Sequence, residues 1–231
     1  MRLQDFSDPE LRRLKGKTVL IPVGSLEQHG QHLPVSTDSD IVSEVARRVA
    51  KKCGLLLLPT VSYGVSFEHA PFFNLSVRPA ILQNFLYEVC VSLAKNKISK
   101  IMILNGHHGN QKALKALKTK IDKKYRGKIK VFVFSYWHFM ENEFDHAGFV
   151  ETSLMLAISD KANMKLAKKG LVTDGMTKKQ KAQISRLASL HFIKATKTGV
   201  WGDPTRATRR DGRRILAEIV KNITKTVSKL A

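Results

Sequence analysis

Two short stretches of the chain gather side chains that can bind cations or move protons. Glu27, His29, His32 and Asp38 fall within twelve residues, and His107 stands in a second loop, Asn105-Gly106-His107-His108-Gly109-Asn110. Carboxylates mixed with imidazoles are the donor set of a borderline divalent cation such as Zn²⁺, Mn²⁺ or Fe²⁺. In an extended segment residues i and i+2 point to the same side, so Glu27 and His29 can serve adjacent positions. Asp38 opens the next helical segment, where its two oxygens could bridge two cations. Two such ions about 3.5–4 Å apart activate a water held between them. Glu151, after the turn His146-Ala147-Gly148, is a candidate for a fifth ligand. Each residue also has a plainer use: Asp38 can cap a helix, Glu151 can complement a helix dipole, and Asn105-Gly106 can be only a turn.

Four apolar runs read as buried strands: Thr18 to Gly24, Leu55 to Ser62, Lys100 to Leu104 and Lys130 to Tyr136. Their near-continuous apolar character predicts a sheet covered on both faces. Between them lie segments of helical spacing. One is 41–52, with Ile41, Val45 and Val49 on one face. Another is 80–95, with Ile81, Phe85, Val89 and Leu93. A third is 112–124, with Leu114, Leu117 and Ile121 opposite lysines. Two more cover 151–159 and 213–230. Alternating strands and helices predict an α/β fold with a mainly parallel sheet, as a single domain over residues 1–231. Residues 160–202 are polar and mixed and show no clear pattern. Ligands in open α/β sheets gather beyond the carboxyl ends of strands, which is where both polar loops fall.

Composition narrows the class. The chain has 231 residues, 43% of them hydrophobic, with 14 Gly and 7 Pro, which excludes a low-complexity or collagen-like chain. Lys and Arg total 40 against 19 Asp and Glu, a formal charge of +21, of which +14 falls in residues 161–231. A basic excess can attract nucleic acid or anionic substrates. No aromatic-interleaved basic motif or nucleic-acid module accompanies it, which favours a solvated Lys-rich surface and argues against a nucleic-acid partner. Cys53 and Cys90 cannot build a disulfide framework or a thiolate cluster; they read as packed thiols in a reducing cytoplasm. No apolar run approaches the ~18 residues of a membrane span, and the N-terminus lacks the apolar stretch of a signal peptide.

Three motifs in order resemble the creatininase (creatinine amidohydrolase) family. They are Gly24-Ser25-Leu26-Glu27-Gln28-His29-Gly30-Gln31-His32-Leu33-Pro34 with Thr37-Asp38, then Asn105 to Asn110, then His146-Ala147-Gly148-Phe149-Val150-Glu151-Thr152-Ser153. Gly199-Val200-Trp201-Gly202-Asp203-Pro204 is a weaker fourth match. The resemblance implies a three-layer α-β-α sandwich, a binuclear centre of Zn²⁺, Fe²⁺ or Mn²⁺, and a closed homo-oligomer, often a hexamer. Carried over by position, Glu27, Asp38 and His107 would hold one metal. His29, Asp38 and Glu151 would hold the other, with Asp38 bridging. His146 matches a histidine used for proton transfer, and Glu68, His69 and His32 are assigned to substrate binding.

One departure bears on the substrate. Creatininase proper carries a glutamate ligand two residues after the histidine of its NGH motif; here that position is Gly109, and Glu151 would take the role. Creatinine is therefore a poor guess. The resemblance implies hydrolysis of a non-peptide C–N amide bond in a small molecule. The branch favoured by the basic composition removes formyl from a formamidopyrimidine nucleotide in flavin or deazaflavin synthesis, with Arg78, Arg206 and Arg209 as phosphate candidates. A cyclic-amide hydrolase or peptidase of the same family is the alternative. A basic nucleic-acid-binding protein is the non-enzymatic one. A segment the family usually writes FPGT reads Ala70-Pro71-Phe72-Phe73-Asn74-Leu75 here, and Phe72 and Phe73 are expected in the core.

Overall fold

The computed structural model describes residues 1–14 and 16–230. Its elements are α1 (Asp8–Arg13), β1 (Val19–Val23), α2 (Thr37–Cys53), β2 (Leu56–Leu57), α3 (Pro79–Lys95), β3 (Lys100–Asn105), α4 (Gln111–Tyr125), β4 (Lys130–Ser135), α5 (Phe149–Ile158), α6 (Lys178–Ala188), α7 (Phe192–Thr196) and α8 (Arg209–Val227). The strands form one parallel sheet in the order β2-β1-β3-β4. Helices cover both faces, giving the expected α-β-α sandwich. Parallel strands need crossover connections, and those crossovers are the helices.

The sheet separates two apolar cores. On one side α2, α5 and α8 bury Val42, Val45, Leu154, Ile215 and Ile219 against Leu20, Met102 and Leu104. On the other, α3 and α4 bury Leu82, Leu86, Leu114, Leu117 and Ile121 against Val19, Ile21, Ile101 and Ile103. Strand residues thus alternate between the two cores, the period-2 pattern of a doubly covered sheet. Cys90 is buried and Cys53 half-buried, both as free thiols.

Three expectations need correction. The run Leu55 to Ser62 pairs as a strand only at Leu56–Leu57. Pro59 lacks an N–H and restricts Leu58, so the chain then follows β1 through separate bonds, from Leu58 N to Leu20 O, Val61 N to Pro22 O and Gly24 N to Val61 O, rather than as a continuous strand. In α3 the buried face is Leu82, Leu86 and Cys90, whereas Ile81 and Phe85 are about half exposed. This helix is apolar on two faces, and spacing alone could not say which one the sheet takes. Phe72 and Phe73 are not in the core: Phe72 is half-buried and Phe73 is exposed. The patternless stretch 160–202 contains α6, opened by a capping box between Thr177 and Gln180, and the short α7.

The closest helix contact is between α5 and α8. A Cβ on Gly212 would overlap the carbonyl oxygen of Ser153 and lie 2.9 Å from the Ala157 Cβ. Only glycine lets α8 approach α5 this closely. Gly212→Ala is expected to lower stability by about 1–3 kcal/mol through overpacking, read as an earlier urea midpoint with unchanged slope. A wild-type midpoint would mean that the helices separate without cost.

Candidate metal centre

The carboxyl ends of β1 and β3 and the starts of α2 and α5 converge at one end of the sheet. Glu27 and His29 lie on the loop after β1, Asp38 in the first turn of α2, His107 directly after β3, and Glu151 in the first turn of α5. All five side chains are buried to within 4% of complete. Glu27, Asp38 and His107 bring donor atoms within 4.8 Å of one another, as do His29, His146 and Glu151, and Glu27, His69 and His146. His107 Nδ1 is 3.0 Å from Asp38 Oδ2, and His107 Nε2 is 3.2 Å from Glu27 Oε2. His29 Nε2 is 3.4 Å from Asp38 Oδ1 and 3.5 Å from Glu151 Oε2. Asp38 therefore stands between the two groups.

Glu27 Oε1, His29 Nε2, Asp38 Oδ2 and Glu151 Oε1 are buried without a hydrogen-bond partner. Unsatisfied buried polar atoms are costly, and four converging from three segments of the chain fit a cation site in number and chemistry. The outer contacts fit too. His29 Nδ1 lies 3.0 Å from the Glu27 carbonyl, and His107 Nε2 lies 2.8 Å from the Val65 carbonyl. Each ring donates outward and turns its other nitrogen inward, where a cation could displace a proton; ligand histidines are oriented this way. Glu27 Oε2 accepts from Ser25 Oγ, and Glu151 Oε2 accepts from the Ala147 N–H.

The charges are strongly coupled. Burial opposes charge on His29 and His107, but Asp38 and Glu151 around the first, and Glu27 and Asp38 around the second, raise both to about 10. Burial pushes Glu151 up to about 8, His29 opposing. Asp38 is held well below the carboxylate range: burial works against its charge, but His29 and His107 outweigh it. Without metal, protons on the imidazoles balance the carboxylates, and divalent cations would displace those protons. Burial, with His29 and His69 nearby, keeps His146 neutral, well below its ordinary value.

A cavity of about 230 Å³ opens over this centre. Glu27, Asp38 and His107 form its floor; Glu68, His69 and His146 line it as well. Phe144, Trp201 and Phe192 supply aromatic walls. Phe192 stacks on His69 at 4.5 Å and meets His146 edge-on at 4.7 Å. A Cβ at Gly109 would overlap the Val65 carbonyl oxygen and lie 2.5 Å from His107 Nε2, so only glycine lets the loop hold His107 against that carbonyl.

Of the residues assigned to substrate binding, Glu68 and His69 line this cavity and His32 does not. His32 is buried, its Nε2 lies 2.9 Å from Thr152 Oγ1, and it lines a separate pocket with Phe72, Phe73 and Lys197. Its place in the first motif could not reveal that the Gly30 turn carries it behind the metal loop. Of the phosphate candidates, Arg209 pairs with Asp160, and Arg78 is exposed at the start of α3. Arg206 lines a side cavity, with Lys169, that shares Phe144, Asp145 and Trp201 with the main one. Sequence reasoning missed Phe144 and Phe192, for which no local signal exists. It also passed over Gln28, a neutral amide between two charged neighbours. Among the described residues no helix is long and apolar enough to cross a membrane.

The creatininase profile (creatinine amidohydrolase) matches residues 4–227. A mycofactocin precursor peptide peptidase of Mycolicibacterium smegmatis is 36% identical over 213 residues, 87% of this chain and 81% of the relative. A 2-amino-5-formylamino-6-ribosylaminopyrimidin-4(3H)-one 5'-monophosphate deformylase of Methanococcus voltae is 31% identical over 134 residues, 53% of this chain and 51% of the relative. A creatininase variant solved in a Zn–Zn form superposes with a TM-score of 0.82 at 22% identity, covering 98% of this chain and 96% of that one; the likeness is one of fold. With a profile match spanning almost its whole length, the chain belongs to the creatininase family, whose members hydrolyse C–N amide bonds.

Proposed function

We propose that the protein is a two-metal amidohydrolase. One observation carries the reading: four buried donor atoms, Glu27 Oε1, His29 Nε2, Asp38 Oδ2 and Glu151 Oε1, converge without hydrogen-bond partners. Glu27, Asp38 and His107 would hold one divalent cation, and His29, Asp38 and Glu151 the other, with Asp38 shared. When bound, the cations supply Lewis acidity, lowering the pKa of a water and polarising the amide carbonyl.

The chain's own residues supply the rest. His146 Nε2 lies 3.0 Å from the Gln28 carbonyl and donates to it, which holds the ring and turns Nδ1 toward the carboxylates. A neutral His146 takes a proton from water at Nδ1 and returns it to the leaving nitrogen as the C–N bond breaks. Phe192, packed on His69 and His146, keeps bulk water off both imidazoles.

The substrate class is a small amide, and the formamidopyrimidine nucleotide remains our leading candidate. The basic excess of the chain favours it; the side cavity that holds Arg206 and Lys169 does not, since Glu143, Asp145, Asp174, Asp203 and Asp211 line it too and would oppose a phosphate. A peptide is the second reading. No Lys or Arg lines the main cavity itself, and the M. smegmatis relative matched over 87% of this chain is a peptidase. Self-association fits the face where Tyr63, Ile81 and Phe85 are 56%, 48% and 52% exposed around a groove that no Lys or Arg lines.

Chelation is expected to abolish hydrolysis, and adding back Zn²⁺, Mn²⁺ or Fe²⁺ to restore it, in a panel of formamidopyrimidine nucleotide, short peptides and creatinine. Full activity in a preparation shown metal-free by elemental analysis sinks the reading. His146→Ala should reduce kcat by about 10²–10⁴-fold with metal content kept; loss of metal would make His146 a ligand. Phe85→Glu should lower the mass measured by light scattering to that of a single chain. An unchanged mass would place the interface elsewhere.

A further inference from the structure

Four imidazoles lie within 4 Å of the buried carboxylates, and three share one arrangement. His29, His107 and His146 each turn one ring nitrogen toward a backbone carbonyl, of Glu27, Val65 and Gln28 respectively. Each therefore donates outward and turns its other nitrogen toward the carboxylates. His69 is the inverse. Its Nδ1 lies 2.9 Å from the side-chain nitrogen of Gln28, which is a donor.

The orientation of Gln28 is fixed by two backbone groups. Its Oε1 accepts from the Gly30 N–H at 3.0 Å, and its Nε2 donates to the Gly199 carbonyl at 3.2 Å. A flipped amide would set donor against donor and acceptor against acceptor at both contacts. The second hydrogen on Nε2 is then available to His69 Nδ1. A proton on that Nδ1 would place two N–H groups face to face at 2.9 Å. Gln28 Nε2 also lies 3.2 Å from His146 Nε2, a longer contact than the 2.9 Å to His69 Nδ1, so the second hydrogen goes to His69.

The hydrogen-bond pattern thus puts a hydrogen of His69 on Nε2, and His69 lines the cavity. Its Nε2 lies 3.1 Å from Glu27 Oε1, and a cation held by that carboxylate would leave the N–H to a substrate oxygen in the cavity. A ring that presents N–H cannot ligate a metal, although His69 falls within a cation-sized group with Glu27 and His146.

We propose that Gln28 fixes His69 as a hydrogen-bond donor, through Nε2, that stabilises the amide carbonyl oxygen as negative charge develops on it. His69 is then a catalytic residue, and Gln28 a positioning residue that acts through it. The inference rests on the amidohydrolase reading and assigns no proton transfer to His69. The proton leaves water for His146 and passes to the leaving nitrogen, while His69 keeps its own. An imidazole N–H suits this role, because it polarises the oxygen without giving up a proton.

Three substitutions test it in the metal-loaded protein, on whichever panel amide is hydrolysed fastest. His69→Gln keeps an N–H near the place of Nε2. His69→Phe keeps the stack on Phe192 and lacks a donor. His69→Phe should lose about 10²-fold in kcat with little change in KM, His69→Gln should recover most of it, and both should keep the wild-type metal content. Nitrogen-15 histidine spectra of the metal-loaded wild type, assigned by the signal lost in His69→Gln, should show His69 protonated at Nε2 only. A protonated Nδ1, metal loss in His69→Phe, or equal kcat in the two variants overturns the proposal. If the wild type hydrolyses nothing in the panel, the hydrolase reading and the catalytic role fall together, while the spectra still decide the hydrogen-bond assignment. Gln28→Leu should shift the His69 resonances and reduce kcat as His69→Phe does; unchanged resonances would remove Gln28 from the role.

Discussion

Everything at the functional end of this molecule follows from putting three carboxylates, Glu27, Asp38 and Glu151, into one water-poor space. Like charges at such separations repel strongly when buried, and no carboxylate there can be left without a compensating positive charge. Among the described residues, no Lys or Arg forms a salt bridge with any of the three, in a chain with an excess of both. The compensation comes from imidazoles, which can carry a proton or yield their lone pair to a metal. This is why the cluster mixes Glu, Asp and His, and why the basic excess stays on the surface.

The fold makes that cluster possible through its parallel sheet. Each strand delivers its following loop to the same end, so residues far apart in sequence meet without long excursions. β1 and β3 are adjacent and in register from Val19 opposite Ile101 to Val23 opposite Asn105, which places the Glu27 loop beside His107. The first turns of α2 and α5 bring Asp38 and Glu151 to the same point. The close α5–α8 contact at Gly212 sets how deeply α5 can sit.

Around the cluster, orientation matters as much as proximity. Backbone carbonyls take the outward N–H of three histidines and so turn their other nitrogens inward. One glutamine amide reverses the sense for the fourth. Residues of the same type thereby acquire different chemistry from the group behind them, a distinction invisible in any list of ligands.

The amino-acid order by itself determined the α/β class, most helix positions and the group of charged residues at the site, because strand runs, helical spacing and loop chemistry are local properties. It did not determine which face of α3 is buried, since both are apolar, nor that β2 would end at Leu57, since pairing depends on what lies alongside. Residues 160–202 were opaque for the same reason: α6 and α7 are short and mostly polar, and they take their place by packing. Only the tertiary structure could separate His32 from His69. Both are histidines in or near recognisable motifs, yet the turn at Gly30 sends one behind the metal loop, while Gln28 holds the other over the cavity. A hydrogen-bond partner forty-one positions away in the chain leaves no trace in local sequence, and it is that partner which decides what the ring can do.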